Sequence, residues 1–161
     1  MKQLMLILAF LPLWATAQEC SLIRNTDPYT KLTRISTGFM TIGGARVNIE
    51  SDGKEIDIFF IADGKCFNDA APVYVFFEGM RSKMFYRNTG RMNCEGYAHL
   101  IFRNLATPNT ALKRFSTHKV TQIVQDNKKK DHIVTLSEEE QTRLQQMATC
   151  LINEAAASVA P

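Results

Sequence analysis

Hydrophobic and polar positions alternate through the middle of the chain, which is typical of half-buried β-strands. In the segment 45–50, Val47 and Ile49 fall on one face of an extended strand and polar residues fall on the other. An Asp-Gly pair at 52–53 supplies the positive φ angles of a tight hairpin turn. The run Ile56–Ile61 is therefore predicted to pair back on the first strand.

Three further runs continue this pattern. Val73–Phe77 is apolar on both faces, which is typical of a central strand that is covered on both sides. Turn residues at Glu78-Gly79 predict that Lys83–Arg87 returns beside it. Gly96–Phe102 is predicted as the next strand, with alternate residues on each face.

A last hairpin is predicted from Val120–Gln125 and Ile133–Leu136. The turn between them, 126–131, carries three consecutive lysines. Lysine runs at such positions are usually solvated turns that protect sheet edges, and we interpret this one in that way rather than as a binding site.

Two helices follow from their end signals. Pro108 suits the first turn of a short helix near 108–115, with Thr107 as its cap. Ser137 and Glu140 form a capping box that starts a helix over 137–155. Its apolar residues recur at helical spacing and form one stripe, made of Leu144, Met147, Ala148, Leu151 and Ala155.

These elements predict an α+β fold: an antiparallel sheet, a meander of about six to eight strands, with the helix near 108–115 and the C-terminal helix 137–155 packed on the sheet. Residues 18–155 are expected to form a single domain, and the tail 156–161 is expected to fray.

The N-terminus has the composition of a secretory leader. A lysine at position 2 precedes the apolar run Leu4–Trp14, and Ala15-Thr16-Ala17 supplies the small residues of a cleavage site. The apolar run is too short for a membrane-spanning helix, so residues 1–17 are predicted to be a cleaved signal peptide. Lipid attachment at Cys20 is the weaker alternative, because Gln18 and Glu19 are not small.

The charge of the chain limits its partners. It has 19 lysine and arginine residues against 16 aspartate and glutamate residues, a net charge of +3. This is too little for a general polyanion binder, and export removes most contact with nucleic acid, so we predict no nucleic-acid partner. No segment beyond the leader is apolar for long enough to span a membrane.

Four cysteines follow the predicted cleavage site: Cys20, Cys66, Cys94 and Cys150. An oxidising compartment favours their pairing, and four cysteines allow three connectivities. We favour Cys66–Cys94 and Cys20–Cys150. Metal binding or redox exchange is the alternative. Zinc sites and disulfide-exchange enzymes both use closely spaced CxxC pairs, and this sequence has none.

The interval 81–103 is locally basic, and Arg81, Lys83, Arg87 and Arg91 are candidate anion-binding residues. If Lys83, Phe85 and Arg87 share one strand face, as their spacing allows, a small anionic ligand or an acidic sugar fits there. A solvated sheet face is the alternative interpretation.

Catalytic motifs are scarce. The sequence lacks a GxSxG elbow, a glycine-rich phosphate loop and an HExxH pair. A hydrolase-like site is conceivable only from scattered residues such as Tyr97, His99 and Arg103, and His99 is more simply a packing residue. The methionines at 80, 84 and 92 suit core packing better than a copper site. We predict no cofactor and no metal.

Several short motifs resemble a group of small exported bacterial proteins of unknown function. They are Gly64-Lys65-Cys66, the strand leading into Glu78-Gly79-Met80-Arg81, Asn93-Cys94-Glu95-Gly96, and Cys150-Leu151 in the final helix. The resemblance spans most of residues 60–152. It implies an α+β domain with structural cysteines and carries over no catalytic residue.

Together these features predict a periplasmic or secreted envelope protein with a non-catalytic binding or structural role. Its partner is expected to be an envelope protein or an anionic ligand. An exported hydrolase-like enzyme is the alternative, and a redox or metal protein is a third class.

Overall fold

The computed structural model describes residues 20–62, 71–89, 96–126 and 131–159. These residues form antiparallel β-sheets and two helices, which confirms the α+β class and the C-terminal helix packed on a sheet. In chain order the elements are β1 (Ile23–Thr26), β2 (Thr33–Ser36), β3 (Met40–Ile42), β4 (Ala45–Ser51), β5 (Glu55–Ile61), β6 (Pro72–Phe77), β7 (Met84–Arg87), β8 (Tyr97–Arg103), α1 (Thr110–Thr117), β9 (Val120–Gln125), β10 (His132–Thr135) and α2 (Glu138–Ala157).

The strands are divided between two sheets, so their order differs from that of one simple meander. The six-stranded sheet has the order β1-β2-β4-β5-β8, with β3 also paired to β4, and the four-stranded sheet has the order β10-β9-β6-β7. The β6–β7 hairpin is thus inserted between two strands, β5 and β8, that pair with each other. Alternation within a strand determines its buried face but does not determine its neighbour in a sheet.

The predicted hairpin of β4 and β5 is confirmed. Ile49 lies opposite Ile58, and both side chains are fully buried. In the turn, Gly53 has a φ of 89°. The Asp52 carboxylate accepts hydrogen bonds from the backbone amides of Lys54 and Glu55. These amide donors lower the pKa of Asp52.

The capping box of α2 is confirmed. The Ser137 hydroxyl accepts from the Glu140 amide at 3.3 Å, and the Glu140 carboxylate accepts from the Ser137 amide at 2.8 Å. The helix continues to Ala157, two residues beyond the predicted end. Its buried residues include Ile152, which the predicted stripe omitted, whereas Met147 is only partly buried.

Helix α1 begins two residues later than predicted, and Thr107 is not its cap. The Asn109 side chain accepts a hydrogen bond from the Leu112 amide at 2.8 Å, so Asn109 is the N-cap. Asparagine is among the strongest N-cap residues, and here it displaces the threonine. Pro108 therefore precedes the cap instead of opening the helix.

One hydrophobic core joins both sheets and both helices. An aromatic cluster lies where they meet: the ring of Phe115 in α1 lies 5.4 Å from Phe77, 5.4 Å from Tyr86 and 6.2 Å from Phe102. Because these rings come from β6, β7 and β8, the cluster fixes the four-stranded sheet against the six-stranded sheet.

Two backbone hydrogen bonds lie where the chain passes between the two sheets. The Ala62 amide donates to the Gly96 carbonyl at 2.9 Å, and the Asn88 amide donates to the Ala71 carbonyl at 3.3 Å. A Cβ atom at Gly96 would overlap the carbonyl oxygen of Ala62, so only glycine permits this approach. The predicted turn at Asn88-Thr89-Gly90 is described only as far as Thr89.

Candidate functional site

The outer side of the four-stranded sheet faces solvent, and we call it the open face. Only alternate residues of the run Val73–Phe77 are buried, and Tyr74 and Phe76 between them stay partly exposed. The expectation that this strand is covered on both sides is therefore wrong, because the core lies on only one side of the sheet. The open face is lined by Tyr74, Phe76, Lys83, Phe85, Arg87, Gln122, Val124, Ile133 and Thr135.

An apolar row crosses all four strands of the open face. In register from edge to edge, Phe85 lies opposite Tyr74, Tyr74 opposite Val124, and Val124 opposite Ile133. The two end residues are the most accessible, with Phe85 60% exposed and Ile133 56% exposed. Directly opposed apolar side chains stabilise a sheet, but a row this exposed also offers a contact surface.

The inward residue Tyr86 is firmly held, and this determines which residues of β7 face outward. Tyr86 is buried, and its hydroxyl donates to the Ala111 carbonyl at 3.1 Å. Burial raises the pKa of Tyr86 to about 12, so the phenol keeps its proton and remains a donor. With Tyr86 inward, strand geometry turns Phe85 and Arg87 outward, and both are exposed.

The basic and aromatic groups of the open face are in contact. The Lys83 ammonium lies 3.7 Å from the centre of the Tyr74 ring, a cation–π contact. The rings of Tyr74 and Phe85 are tilted by 58°, with centres 6.1 Å apart. Arg87 lies two residues beyond Phe85, opposite Pro72. Lys83, Phe85 and Arg87 thus share one face, as their spacing predicts.

The other two predicted anion-binding residues are placed less closely. Arg81 is exposed in the turn between β6 and β7, and Arg91 lies outside the described residues. The segment 79–94 contains no aspartate or glutamate. The edge of the open face along β7 is therefore basic.

A second polar cluster lies on the outer face of the six-stranded sheet. His99 Nε2 lies 2.8 Å from Asp57 Oδ1, and the imidazole stacks on the Phe59 ring with centres 4.2 Å apart. Both side chains of the pair are about four-fifths buried. A carboxylate that orients an imidazole is one component of many general-base sites.

The remaining residues of the hydrolase-like alternative do not complete this cluster. Tyr97 shares the face of His99 two residues away, but Arg103 is four residues away, about 13 Å along the strand. Arg103 is therefore not in position to act with His99.

The structure contains the predicted disulfide between Cys20 and Cys150, whereas Cys66 and Cys94 lie outside the described residues. A groove of about 540 Å³ runs beside this disulfide, along α2 and the end of α1. Amides and hydroxyls line it, and Gln145 and Thr149 donate to the Ser116 carbonyl. Apart from the two cysteines, none of the predicted site residues that the structure describes lines this groove.

Two kinds of feature are absent from the described part of the chain. Within residues 20–62, 71–89, 96–126 and 131–159, no group of three or more histidine, cysteine, aspartate or glutamate side chains is arranged to hold a metal ion. Neither helix of the described structure combines the length and apolarity needed to cross a bilayer. Met80 and Met84 pack against the core, and Met92 lies outside the described residues.

Sequence reasoning missed two parts of these surfaces. Val124 and Ile133 join Phe85 only through the pairing of four strands, and Asp57 meets His99 across 42 positions. Tyr74 and Phe76 are partly exposed, which their position within an apolar run did not indicate. A signal was present in the alternation of the following hairpin, whose outward positions include both Val124 and Ile133.

Comparison of the chain with protein-family models, curated protein sequences and solved structures finds no match in any of the three.

Proposed function

We propose that this chain is an exported bacterial envelope protein, periplasmic or secreted, that binds an acidic ligand without catalysis. The ligand contacts the basic edge of the open face along β7. The observation that carries this proposal is the order of outward residues on that edge, in which the exposed Phe85 lies between Lys83 and Arg87. Cations flanking an exposed ring supply both charge pairing and a stacking surface.

The charge distribution supports an acidic ligand. The net charge of the chain is small, yet four cations and no carboxylate fall within 79–94. Arg87 is exposed, and Lys83 is held against Tyr74 with its ammonium accessible at the surface. A local basic edge on a nearly neutral protein favours one binding surface over general adhesion to polyanions.

Export is supported by the leader and by the disulfide together. The predicted signal peptide ends at Ala17, and Cys20, three residues later, is bonded to Cys150 in α2. Disulfides persist in oxidising compartments such as the periplasm and the cell exterior. Fractionation of the native cell, followed by N-terminal sequencing, tests this part. We expect the protein outside the cytoplasm with Gln18 as its first residue, and retention of Met1 in cytoplasmic protein would contradict export.

The alternative, a hydrolase-like enzyme, is favoured by one observation, the 2.8 Å contact of His99 and Asp57. A hydrolase also needs a nucleophile or an activated water beside that imidazole, together with a substrate pocket. Arg103 lies too far along the strand, and the 540 Å³ groove lies beside the disulfide instead. The stacking on Phe59 accounts for His99 as a packing residue.

Binding is tested by comparing two variants with equal net charge on a dextran sulfate column. Lys83→Ala/Arg87→Ala removes the two cations of the open face. Arg103→Ala/Lys113→Ala removes one arginine and one lysine that are exposed on β8 and α1. We expect the first variant to elute at lower salt than the second, because only the first loses paired contacts. Elution of both variants at the same salt would contradict the proposed surface.

A further inference from the structure

We infer that the acidic ligand is a linear polysaccharide with an acidic group on every second sugar, lying along the outer face of β7. This inference rests on the proposed function and specifies the chemistry that β7 recognises. Outward residues on a strand recur about every 6.7 Å, so the backbone positions of Arg87 and of Lys83, which directly precedes β7, are about 13 Å apart with Phe85 between them.

The central position favours an uncharged sugar. The face of an aromatic ring is the negative side of its quadrupole, so an acidic group placed against Phe85 is repelled. A neutral sugar presents C–H groups that pack on the same ring. A polymer with a charge on every sugar would place an acid there, whereas an alternating polymer places its acids at Lys83 and Arg87.

The surrounding surface suits sugar rings. Tyr74 and Phe85 are tilted toward each other by 58° and form a shallow corner, and the Lys83 ammonium lies over the Tyr74 ring. This contact holds the lysine in place before a ligand binds, which lowers the entropy lost on binding. Further along the face, the side-chain amide of Gln122 lies 3.4 Å from the Thr135 hydroxyl, and both groups are able to hydrogen bond sugar hydroxyls.

An acidic peptide fits this surface less well. Peptides that bind sheets pair their backbone with a free strand edge and place side chains in pockets. The groove beside the disulfide does not extend to the open face.

Titration calorimetry with hyaluronate oligosaccharides tests the inference, because hyaluronate alternates acidic and neutral sugars. We expect Phe85→Ala to weaken binding about tenfold, as the loss of one aromatic contact implies. Phe39→Ala is the matched control, since Phe39 is 61% exposed and Phe85 is 60% exposed. We expect Phe39→Ala to bind as the unaltered protein does, and Lys83→Ala/Arg87→Ala to lose binding. Urea midpoints of each variant show that it folds.

Three outcomes would overturn the inference. They are equal effects of Phe85→Ala and Phe39→Ala, no binding of hyaluronate by the unaltered protein, and binding of polyglutamate or of vesicles containing phosphatidylglycerol as tight as that of hyaluronate. The dextran sulfate column separates these failures from failure of the proposed function. If the equal-charge variants still elute apart there, the basic surface stands and only the proposed class of ligand is wrong.

Discussion

Removal of the Cys20–Cys150 disulfide is expected to destabilise the protein strongly. The bond joins positions 130 residues apart, the start of the described chain and the last helix. Restricting so long a loop in the unfolded chain corresponds to roughly 5 kcal/mol at 25 °C in the chain-entropy treatment. We therefore expect Cys20→Ala/Cys150→Ala to lower the free energy of unfolding by about 4–5 kcal/mol.

Contacts in the folded state add little to this value. Cys20 is exposed and Cys150 is half-buried, so alanine at both positions leaves no large cavity. The neighbouring ion pair of Arg24 and Glu154, 2.7 Å long, joins the same two regions but is about half exposed, so it contributes about 1 kcal/mol or less. It does not replace the covalent link. A closed second disulfide would shorten the loop, but the logarithmic dependence changes the result by only about 0.2 kcal/mol.

Urea unfolding followed by far-ultraviolet circular dichroism measures the effect on the mature protein. We expect the midpoint of the double variant to fall well below that of the oxidised protein. A loss smaller than about 1 kcal/mol, in a variant with an unchanged spectrum, would refute the loop-closure reasoning.

Peptide mapping of the same non-reduced protein is expected to show Cys66 linked to Cys94. Two alkylated thiols at those positions would contradict the sequence-based pairing.

Two further predictions concern stability. Glu140→Gln is expected to cost about 1 kcal/mol at neutral pH, because the carboxylate accepts from two backbone amides. These amides lower the pKa of Glu140, so its stabilisation is present above the unfolded pKa and is lost as pH falls through the folded one. Urea midpoints of the variant and the unaltered protein should therefore converge in acid, and a constant difference would contradict this. Gly96→Ala is expected to lower the free energy of unfolding by about 3 kcal/mol or more, because its Cβ atom would overlap the Ala62 carbonyl. Gly53→Ala is the control, since Gly53 has a similar φ but open space around it, and it should lower the free energy by only about 1 kcal/mol. Equal thermal midpoints of the two variants would contradict the clash.

Elements with local signals could be predicted well from the sequence. The Asp-Gly turn at 52–53 and the capping box at Ser137 each act within four residues, and the structure places a hairpin and a helix start there. The start of α1 was harder, because Thr107 and Asn109 are both acceptable caps two residues apart. Strands β1 to β3 gave no clear pattern, since they are short and β1 is exposed throughout.

The arrangement of strands could not be predicted, because it depends on contacts between distant segments. Strand β5 pairs with β8 as well as with β4, and strand β6 pairs with β9 as well as with β7, so each has one partner that is distant in sequence. A strand has the same alternation whichever partner it takes. The shared face of Lys83, Phe85 and Arg87 was predictable because it lies within one strand. The apolar row was not, because it requires the register of four strands.

This strand order explains why the open face exists. Strands β5 and β8 pair with each other, so the hairpin between them must leave their sheet and join another. The hairpin is held at its base by the Asn88–Ala71 hydrogen bond and beneath by Tyr86, which fix β7 as an edge strand. A strand fixed in this way holds the backbone beneath its outward side chains, so the proposed ligand would bind without the entropy cost of ordering that backbone. The insertion of the β6–β7 hairpin, which could not be predicted from the sequence, therefore produces a preformed basic and aromatic edge.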